Sequence, residues 1–135
     1  MEPLTLTHIL VVEDNLDDSF LLTRQIQKAQ IDDHVAVIED GREALDYLQK
    51  SPTVPLAVFL DLRLPGLSGI ELLRKIRAEA RFKDLPVIVM TGSNDPNDLQ
   101  ECHRLGVTAF LPKPVGLGTF IKTVAHLFPK IDSVN

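Results

Sequence analysis

Short runs of apolar residues without polar alternation recur along this chain, and they constrain its fold more than any other feature. Examples lie at residues 9–12, 58–60 and 87–90. Strands that are covered on both faces have this composition, because neither face of such a strand meets water. Helical stretches separate the runs. Five strands alternating with five helices predict a parallel α/β sheet that is wound by right-handed crossovers.

The predicted elements have definite bounds. We predict strands over residues 8–12, 34–38, 56–61, 86–91 and 107–111. We predict helices over residues 16–29, 41–50, 69–78, 96–105 and 117–128, with Asp95 capping the fourth and Gly106 ending it. In the last helix, one apolar face is predicted to pack on the sheet: Leu117, Ile121, Val124 and Phe128. This alternation alone leaves several strand orders open.

Length and composition narrow the class of protein. A chain of 135 residues fits one domain, and we expect a single domain over residues 1–135 with its core at about 8–128. The net charge of −5 argues against nucleic acid as a partner. We see no run long enough to span a bilayer and no secretory signal, and the single cysteine, Cys102, suits a reducing cytosol. A cytoplasmic location is therefore expected.

Polar side chains stand at the ends of four predicted strands. Glu13 and Asp14 follow the first strand, Asp61 ends the third, Thr91 ends the fourth and Lys113 follows the fifth. In an open parallel sheet, ligands bind beyond the carboxyl ends of the strands. If the strand order is 2-1-3-4-5, these five residues meet in a single crevice.

Such a crevice has a chemistry that follows from its residue types. Clustered carboxylates repel one another and would take up protons unless a cation is bound. Oxygen ligands favour Mg²⁺ or a similar hard ion over zinc. Lys113 would supply a second positive charge opposite the metal. A carboxylate nucleophile, with cations that neutralise the three transferring oxygens, is the equipment that phosphoryl transfer needs.

Five stretches of the sequence resemble the response regulator receiver family, in the family's order and at its spacing. They are ILVVEDN at 9–15, DGREAL at 40–45, LDLRLPGLSG at 60–69, VIVMTG at 87–92 and FLPKP at 110–114. The resemblance covers roughly residues 8–128. It implies a doubly wound, flavodoxin-like fold of three α/β/α layers, with strand order 2-1-3-4-5. It also implies a stand-alone receiver domain, similar to chemotaxis receivers.

The resemblance implies a role for each polar residue of the crevice. Asp61 is the expected phospho-acceptor, and Thr91 and Lys113 are expected to bind the phosphoryl oxygens. The implied metal ligands are oxygen atoms of Asp14, Asp61, Glu13 (through a water) and the backbone carbonyl of Arg63. The Arg63 side chain is interpreted as solvated rather than as a phosphate ligand. Thr91 and Phe110 are the implied switch residues, with Phe110 moving into the space that Thr91 leaves.

The implied function is that of a phosphorelay switch rather than an enzyme, although it would support its own Mg²⁺-dependent phosphoryl transfer and dephosphorylation. The donor would be a sensor histidine kinase or a histidine phosphotransfer protein. The receiver of the signal would be a separate protein effector or a second copy of the chain. A stripe at Leu16 and Phe20 is interpreted as partial core rather than as a docking surface for the donor. The connection over residues 77–85 resembles that of phytochrome-associated regulators.

Three other functions compete with this one. A phosphatase of the haloacid-dehalogenase type also uses an aspartate nucleophile after a strand, but it needs a second acid where Arg63 stands. A degenerate receiver would bind partners without phosphorylation, which the intact acceptor residues argue against. A flavin-binding domain of the same strand order would place phosphate at the acidic loop over residues 13–18, which would repel it.

Overall fold

Strands and helices alternate throughout the part of the chain that the computed structural model describes, which is residues 8–29, 34–92, 95–113 and 115–127. The strands are β1 (Ile9–Val12), β2 (Val35–Ile38), β3 (Ala57–Asp61), β4 (Val87–Thr91) and β5 (Ala109–Pro112). The helices are α1 (Leu16–Lys28), α2 (Gly41–Lys50), α3 (Gly69–Ala78), α4 (Pro96–Arg104) and α5 (Leu117–Leu127). A short 3-10 turn, Ala80–Phe82, precedes β4. None of the helices in these ranges has the length and hydropathy needed to cross a membrane.

The five strands form one parallel sheet in the order β2-β1-β3-β4-β5. The predicted fold and strand order are therefore confirmed. At the carboxyl edge, Asp61 on β3 pairs with Met90 on β4, and Thr91 pairs with Pro112 on β5. This register brings the ends of β1, β3, β4 and β5 to one edge of the sheet, where the predicted site residues lie.

Apolar layers cover both faces of the sheet, and they explain why the strands lack alternation. Leu10 and Val12 of β1 belong to the layer under α2, α3 and α4, whereas Ile9 and Val11 belong to the layer under α1 and α5. Every residue of β1, β3 and β4 is buried. A buried strand therefore contributes apolar side chains to two layers at once.

The predicted packing face of α5 is wrong for two residues. Leu117 is 50% exposed and Ile121 is 47% exposed, while Phe120 and Val124 are fully buried. The ring of Phe120 stacks on that of Phe59 on β3, with centroids 6.0 Å apart. This aromatic contact turns the neighbouring face of α5 toward the sheet. The fourth residue of the predicted face, Phe128, lies outside the described residues.

The predicted ends of α4 are confirmed. The Asp95 side chain accepts a hydrogen bond of 2.9 Å from the backbone N–H of Asn97, and Pro96 occupies the first helical position. At the other end, Gly106 has a φ of +70°, a left-handed conformation that glycine adopts without a Cβ clash. Local sequence signals therefore fix both ends of this helix.

Candidate functional site

The turn between β1 and α1 positions the first acidic pair. The Glu13 carboxylate accepts a hydrogen bond of 3.1 Å from the backbone N–H of Asn15, and the Asn15 side chain caps α1 by accepting one of 3.0 Å from Asp18 N–H. Glu13 is 1% exposed, whereas Asp14 is exposed. This turn directs one carboxylate into the protein and leaves its neighbour at the surface.

The loop after β3 positions Asp61. Its Oδ1 accepts a hydrogen bond of 3.1 Å from the backbone N–H of Arg63, and the residue is 6% exposed. Gly69 closes the loop, because its N–H donates to the Leu62 carbonyl at 3.0 Å. A Cβ on Gly69 would lie 2.4 Å from the Asp61 carbonyl oxygen, so this close return of the chain requires glycine.

The ammonium group of Lys113 joins the separate segments of the site. Its Nζ lies 2.6 Å from Glu13 Oε1, 3.0 Å from Asp61 Oδ2 and 3.2 Å from Asp18 Oδ2. Its backbone N–H donates to the Thr91 carbonyl at 3.0 Å, which ties the residue to the end of β4. Three carboxylates from α1, β3 and the β1–α1 turn therefore converge on one cation.

Burial and mutual repulsion shift the protonation of this cluster. Burial raises the pKa of Glu13 to about 7, and the nearby Asp61 carboxylate adds to this, although Lys113 and the Asn15 N–H work against it. Burial also acts to lower the pKa of Lys113, but its bonds to Glu13 and Asp61 outweigh that and raise the pKa. Lys113 is therefore charged at neutral pH, while Glu13 is poised to titrate.

A second group of carboxylates, in which Asp14 takes the place of Asp18, comes close enough together to share a metal ion. Oxygen atoms of Glu13, Asp14 and Asp61 all lie within 4.8 Å of one another. An all-oxygen donor set of this charge fits a hard divalent cation such as Mg²⁺. The main chain of Arg63 borders the group through its N–H contact with Asp61, and its side chain is exposed.

The two switch candidates lie on neighbouring strands. Thr91 ends β4, is 6% exposed, and stands one position beyond the residue that pairs with Asp61. Phe110 on β5 is half-buried, packs against the core, and its ring lies 5.4 Å from the ring of His103 on α4. Pro114, the last residue of the FLPKP stretch, lies outside the described residues.

The interpretation of the stripe on α1 as partial core is wrong. Leu16 is 63% exposed and Phe20 is 61% exposed, and Leu21 beside them is 59% exposed. The buried line of α1 passes instead through Leu22 and Ile26. The exposed stripe thus lies on a neighbouring face of the helix, close to the acidic pair.

Asp18 is a site residue that was not predicted from the sequence. Its carboxylate contacts Lys113, yet in the sequence it is one of two adjacent acids in the first turn of a helix. Acidic residues are common there because they interact favourably with the helix dipole. Its position in the sequence does not distinguish it from such an acid, because the contact that places it in the site joins residues 95 positions apart.

Comparison with known proteins agrees with this architecture. The family model for the response regulator receiver domain matches residues 9–125. A probable methanogenesis regulatory protein, FilR2 of Methanothrix harundinacea (strain 6Ac), is 33% identical over 123 residues, which are 88% of this chain and 79% of that protein. Two-component response regulator ARR8 of Arabidopsis thaliana is 29% identical, and the match covers 94% of this chain but 63% of that protein.

Solved structures of similar proteins share the fold. The bacteriophytochrome response regulator AtBRR has a TM-score of 0.77 and 38% identity, covering 90% of this chain and 92% of that chain. The Mn²⁺-bound response regulator Rcp1 has a TM-score of 0.77 and 31% identity, covering 90% and 91%. The phosphorylated cyanobacterial phytochrome response regulator RcpA has a TM-score of 0.74 and 28% identity, covering 97% of each. The predicted resemblance to phytochrome-associated regulators is confirmed.

Proposed function

This chain belongs to the response regulator receiver family of two-component systems, and we propose that it accepts a phosphoryl group onto Asp61 and passes the signal to a separate protein. The single observation that carries the proposal is the placement of the Asp61 carboxylate. It lies 3.0 Å from the Lys113 ammonium and within a group of three carboxylates that could share a cation. A nucleophile flanked by two positive charges suits the acceptance of a phosphoryl dianion.

We propose Mg²⁺ as the resident metal, held by Asp14 and Asp61 directly and by Glu13 through a water, with the Arg63 carbonyl as a further ligand. The convergence of the three carboxylates supports this set. The similar protein Rcp1 has been solved with Mn²⁺, another hard divalent cation. When bound, such an ion neutralises charge on the phosphoryl oxygens.

The transfer step uses the Asp61 carboxylate as nucleophile. One carboxylate oxygen attacks the phosphorus atom of a phosphohistidine, and a P–O bond forms as the P–N bond breaks. The electron pair of the broken bond leaves with the imidazole nitrogen. Lys113 stands ready to neutralise a phosphoryl oxygen, since its ammonium already contacts Asp61. Dephosphorylation reverses the modification when water attacks phosphorus, releasing inorganic phosphate and the carboxylate.

We infer that the donor is a sensor histidine kinase or a histidine phosphotransfer protein that docks on the exposed stripe of α1. Leu16, Phe20 and Leu21 are each about 60% exposed, and the stripe begins two residues after Asp14. An apolar patch that begins next to the acidic pair suits a partner that must deliver its phosphoryl group to this edge of the sheet. We place this exchange in the cytoplasm, in keeping with the single reduced cysteine, Cys102.

We propose that phosphorylation is read out through Thr91 and Phe110. A charge-assisted hydrogen bond from the Thr91 hydroxyl to the phosphoryl group would draw that residue inward. Phe110 is half-buried on the adjacent strand, so a change in the position of its ring would alter the exposed surface. The effector, or a second copy of the chain, would bind the altered surface of α4, β5 and α5.

A hydrolase of the haloacid-dehalogenase type is not favoured by the site. The residue two positions after Asp61 is Arg63, whose side chain is exposed and carries no acidic proton. The chain therefore lacks the general acid that this enzyme class places there. We propose a switch that turns over its own phosphoryl group rather than an enzyme with an external substrate.

The proposal is tested by incubating the protein with acetyl phosphate and Mg²⁺ and measuring the intact mass. We expect one added phosphoryl group, which is absent in the Asp61→Asn variant and absent when a chelator removes the metal. Asp46→Asn, an exposed aspartate on α2, is the matched control and should be modified like the wild type. Modification that persists in Asp61→Asn would contradict the proposal. Rapid turnover of a small phosphate ester would favour a hydrolase instead.

A further inference from the structure

The Lys113 ammonium has one carboxylate partner that the proposed chemistry does not use. An ammonium group has three N–H donors, and Lys113 lies close to three carboxylates. Two of them, Glu13 and Asp61, also belong to the group that could share a metal. The third, Asp18, stands outside that group among the described residues. Its contact with Lys113 therefore does not compete with metal binding.

Asp18 is held in place by the start of α1. Its backbone N–H donates to the Asn15 side chain at 3.0 Å, which fixes it as the third residue of the helix. Asp18 and Lys113 line the same small cavity of about 60 Å³, together with Glu13 and Val115. The Asp18 side chain is 41% exposed, whereas that of Lys113 is 22% exposed. The contact thus joins a partly exposed carboxylate to a more buried ammonium group.

We propose that Asp18 is a positioning residue that orients the Lys113 ammonium toward Asp61 throughout the phosphorylation cycle. The inference rests on the proposed function, because it concerns the lysine that would bind the phosphoryl group. When Asp61 carries that group, Lys113 exchanges the Asp61 carboxylate for the phosphoryl oxygens, and Glu13 serves the metal. Asp18 then remains as the anchor that keeps the ammonium at the crevice.

Asp17 offers a matched control for this role. It lies beside Asp18 in the same first turn, carries the same charge and is exposed. Replacing either aspartate by asparagine changes the net charge and the interaction with the helix dipole by similar amounts. A difference between the two variants therefore isolates the contact with Lys113.

The first experiment measures the reactivity of Lys113 without any phosphoryl transfer. The metal-free protein is treated briefly with acetic anhydride, and acetylation of Lys113 is quantified by peptide mass spectrometry relative to the exposed Lys75. We expect Asp18→Asn to accelerate Lys113 labelling about two- to fivefold, the scale of a partly exposed ion pair. Asp17→Asn should leave the ratio unchanged. Equal ratios in Asp17→Asn and Asp18→Asn would overturn the proposal.

The second experiment measures the rate of phosphorylation by acetyl phosphate over a range of Mg²⁺ concentrations. We expect Asp18→Asn to lower the maximal rate constant about two- to fivefold and to leave the half-saturating Mg²⁺ concentration unchanged. Asp18→Glu, which keeps the charge, should recover most of the rate. A change in the half-saturating concentration with an unchanged maximal rate would overturn the positioning role. A wild-type protein that takes up no phosphoryl group would reject the proposed function, while the labelling ratio would still decide the role of Asp18.

Discussion

The Glu13 carboxyl group is 1% exposed and lies 2.6 Å from the Lys113 ammonium. Burial separates it from water and so favours its neutral form, while the lysine favours the charged form. A divalent cation at the site would add a second positive charge and favour ionisation further. Both pH and metal binding should therefore change the stability of the protein through the protonation of Glu13.

The raised pKa of Glu13 predicts a pH-dependent stability of the metal-free protein. Its pKa rises from 4.5 to about 7 on folding, so the folded state binds more protons than the unfolded state between these values. The contribution of this group to the free energy of unfolding should fall as pH rises from about 4.5 to 7, by at most about 3 kcal/mol. Urea unfolding at pH 5 and pH 8 in the presence of a chelator measures it.

The Glu13→Gln variant separates this effect from the titration of other groups. The difference in free energy of unfolding, Glu13→Gln minus wild type, should increase from pH 5 to pH 8. Only the wild type loses stability through the ionisation of this residue, because glutamine does not ionise. Glu39→Gln, at an exposed position after β2, is the control. Its difference from the wild type in free energy of unfolding should change far less between the two pH values. A wild-type minus Glu13→Gln difference that is the same at both pH values would reject the assignment.

At the scale of elements, the strands were the most predictable part of the fold. β1, β3 and β4 are buried on both faces, so their sequences are continuously apolar and could be identified directly. The orientation of α5 could not be predicted, because its apolar residues form two adjacent lines. One line includes Leu117 and Ile121, and the other includes Phe120. The stacking of Phe120 on Phe59, a contact across 61 positions of sequence, decides between them. A contact between residues so distant in the sequence leaves no pattern within either segment from which it could be predicted.

The loop between β3 and α3 depends on the backbone conformation of Gly66. This residue has a φ of +76°, and a Cβ placed on it would lie 2.7 Å from the Asp40 carboxylate. We predict that Gly66→Ala lowers the free energy of unfolding by about 1–3 kcal/mol. Gly118→Ala is the control, because a Cβ at that position in α5 meets nothing within 4 Å. It should be neutral or raise stability by up to about 1 kcal/mol. Urea unfolding of both variants tests the prediction, which a neutral Gly66→Ala would contradict.

The connection between α3 and β4 depends on Arg77. Its guanidinium donates hydrogen bonds of 2.7–3.0 Å to four backbone carbonyls, two just before β4 and two just after α4: Phe82, Leu85, Leu105 and Gly106. We predict that Arg77→Ala lowers the free energy of unfolding by about 2–4 kcal/mol, since these carbonyls lose a charged donor.

Arg74→Ala is the matched control for Arg77→Ala. Arg74 lies on the same helix and forms an ion pair of 2.8 Å with Glu101, but its side chain is 53% exposed. Exposed ion pairs contribute less than about 1 kcal/mol. If denaturant unfolding shows equal losses for the two variants, the proposed anchoring by Arg77 is wrong.

At the scale of the whole molecule, the site depends on the sheet rather than on any one segment. Residues 13, 14, 61, 91 and 113 are distant in sequence, and the strand order brings them to one edge. Their positions could be predicted because each follows a recognisable strand. The third partner of Lys113, Asp18, could not be distinguished from an ordinary surface acid, since its role depends on a contact between the first turn of α1 and the residue that follows β5.

Binding of Mg²⁺ should stabilise the whole domain. A ligand at 100 times its dissociation constant adds about 2.7 kcal/mol to the free energy of unfolding when it binds only the folded state. We therefore predict that MgCl₂ raises the thermal midpoint, and that Asp14→Asn reduces this gain while leaving the contacts of Lys113 intact. Potassium chloride at equal ionic strength is the control for screening. A similar rise with either salt, or an undiminished rise in Asp14→Asn, would contradict the metal site.

The identity of the phosphorylated residue is tested most directly by trapping the acyl phosphate. The protein is treated with acetyl phosphate and Mg²⁺ and then reduced with borohydride, which converts an aspartyl phosphate to homoserine. Peptide sequencing by mass spectrometry then locates the converted residue. We expect homoserine at position 61 and at no other aspartate of the crevice. Homoserine at position 14 or 18, or a phosphoryl group that resists reduction, would contradict the account.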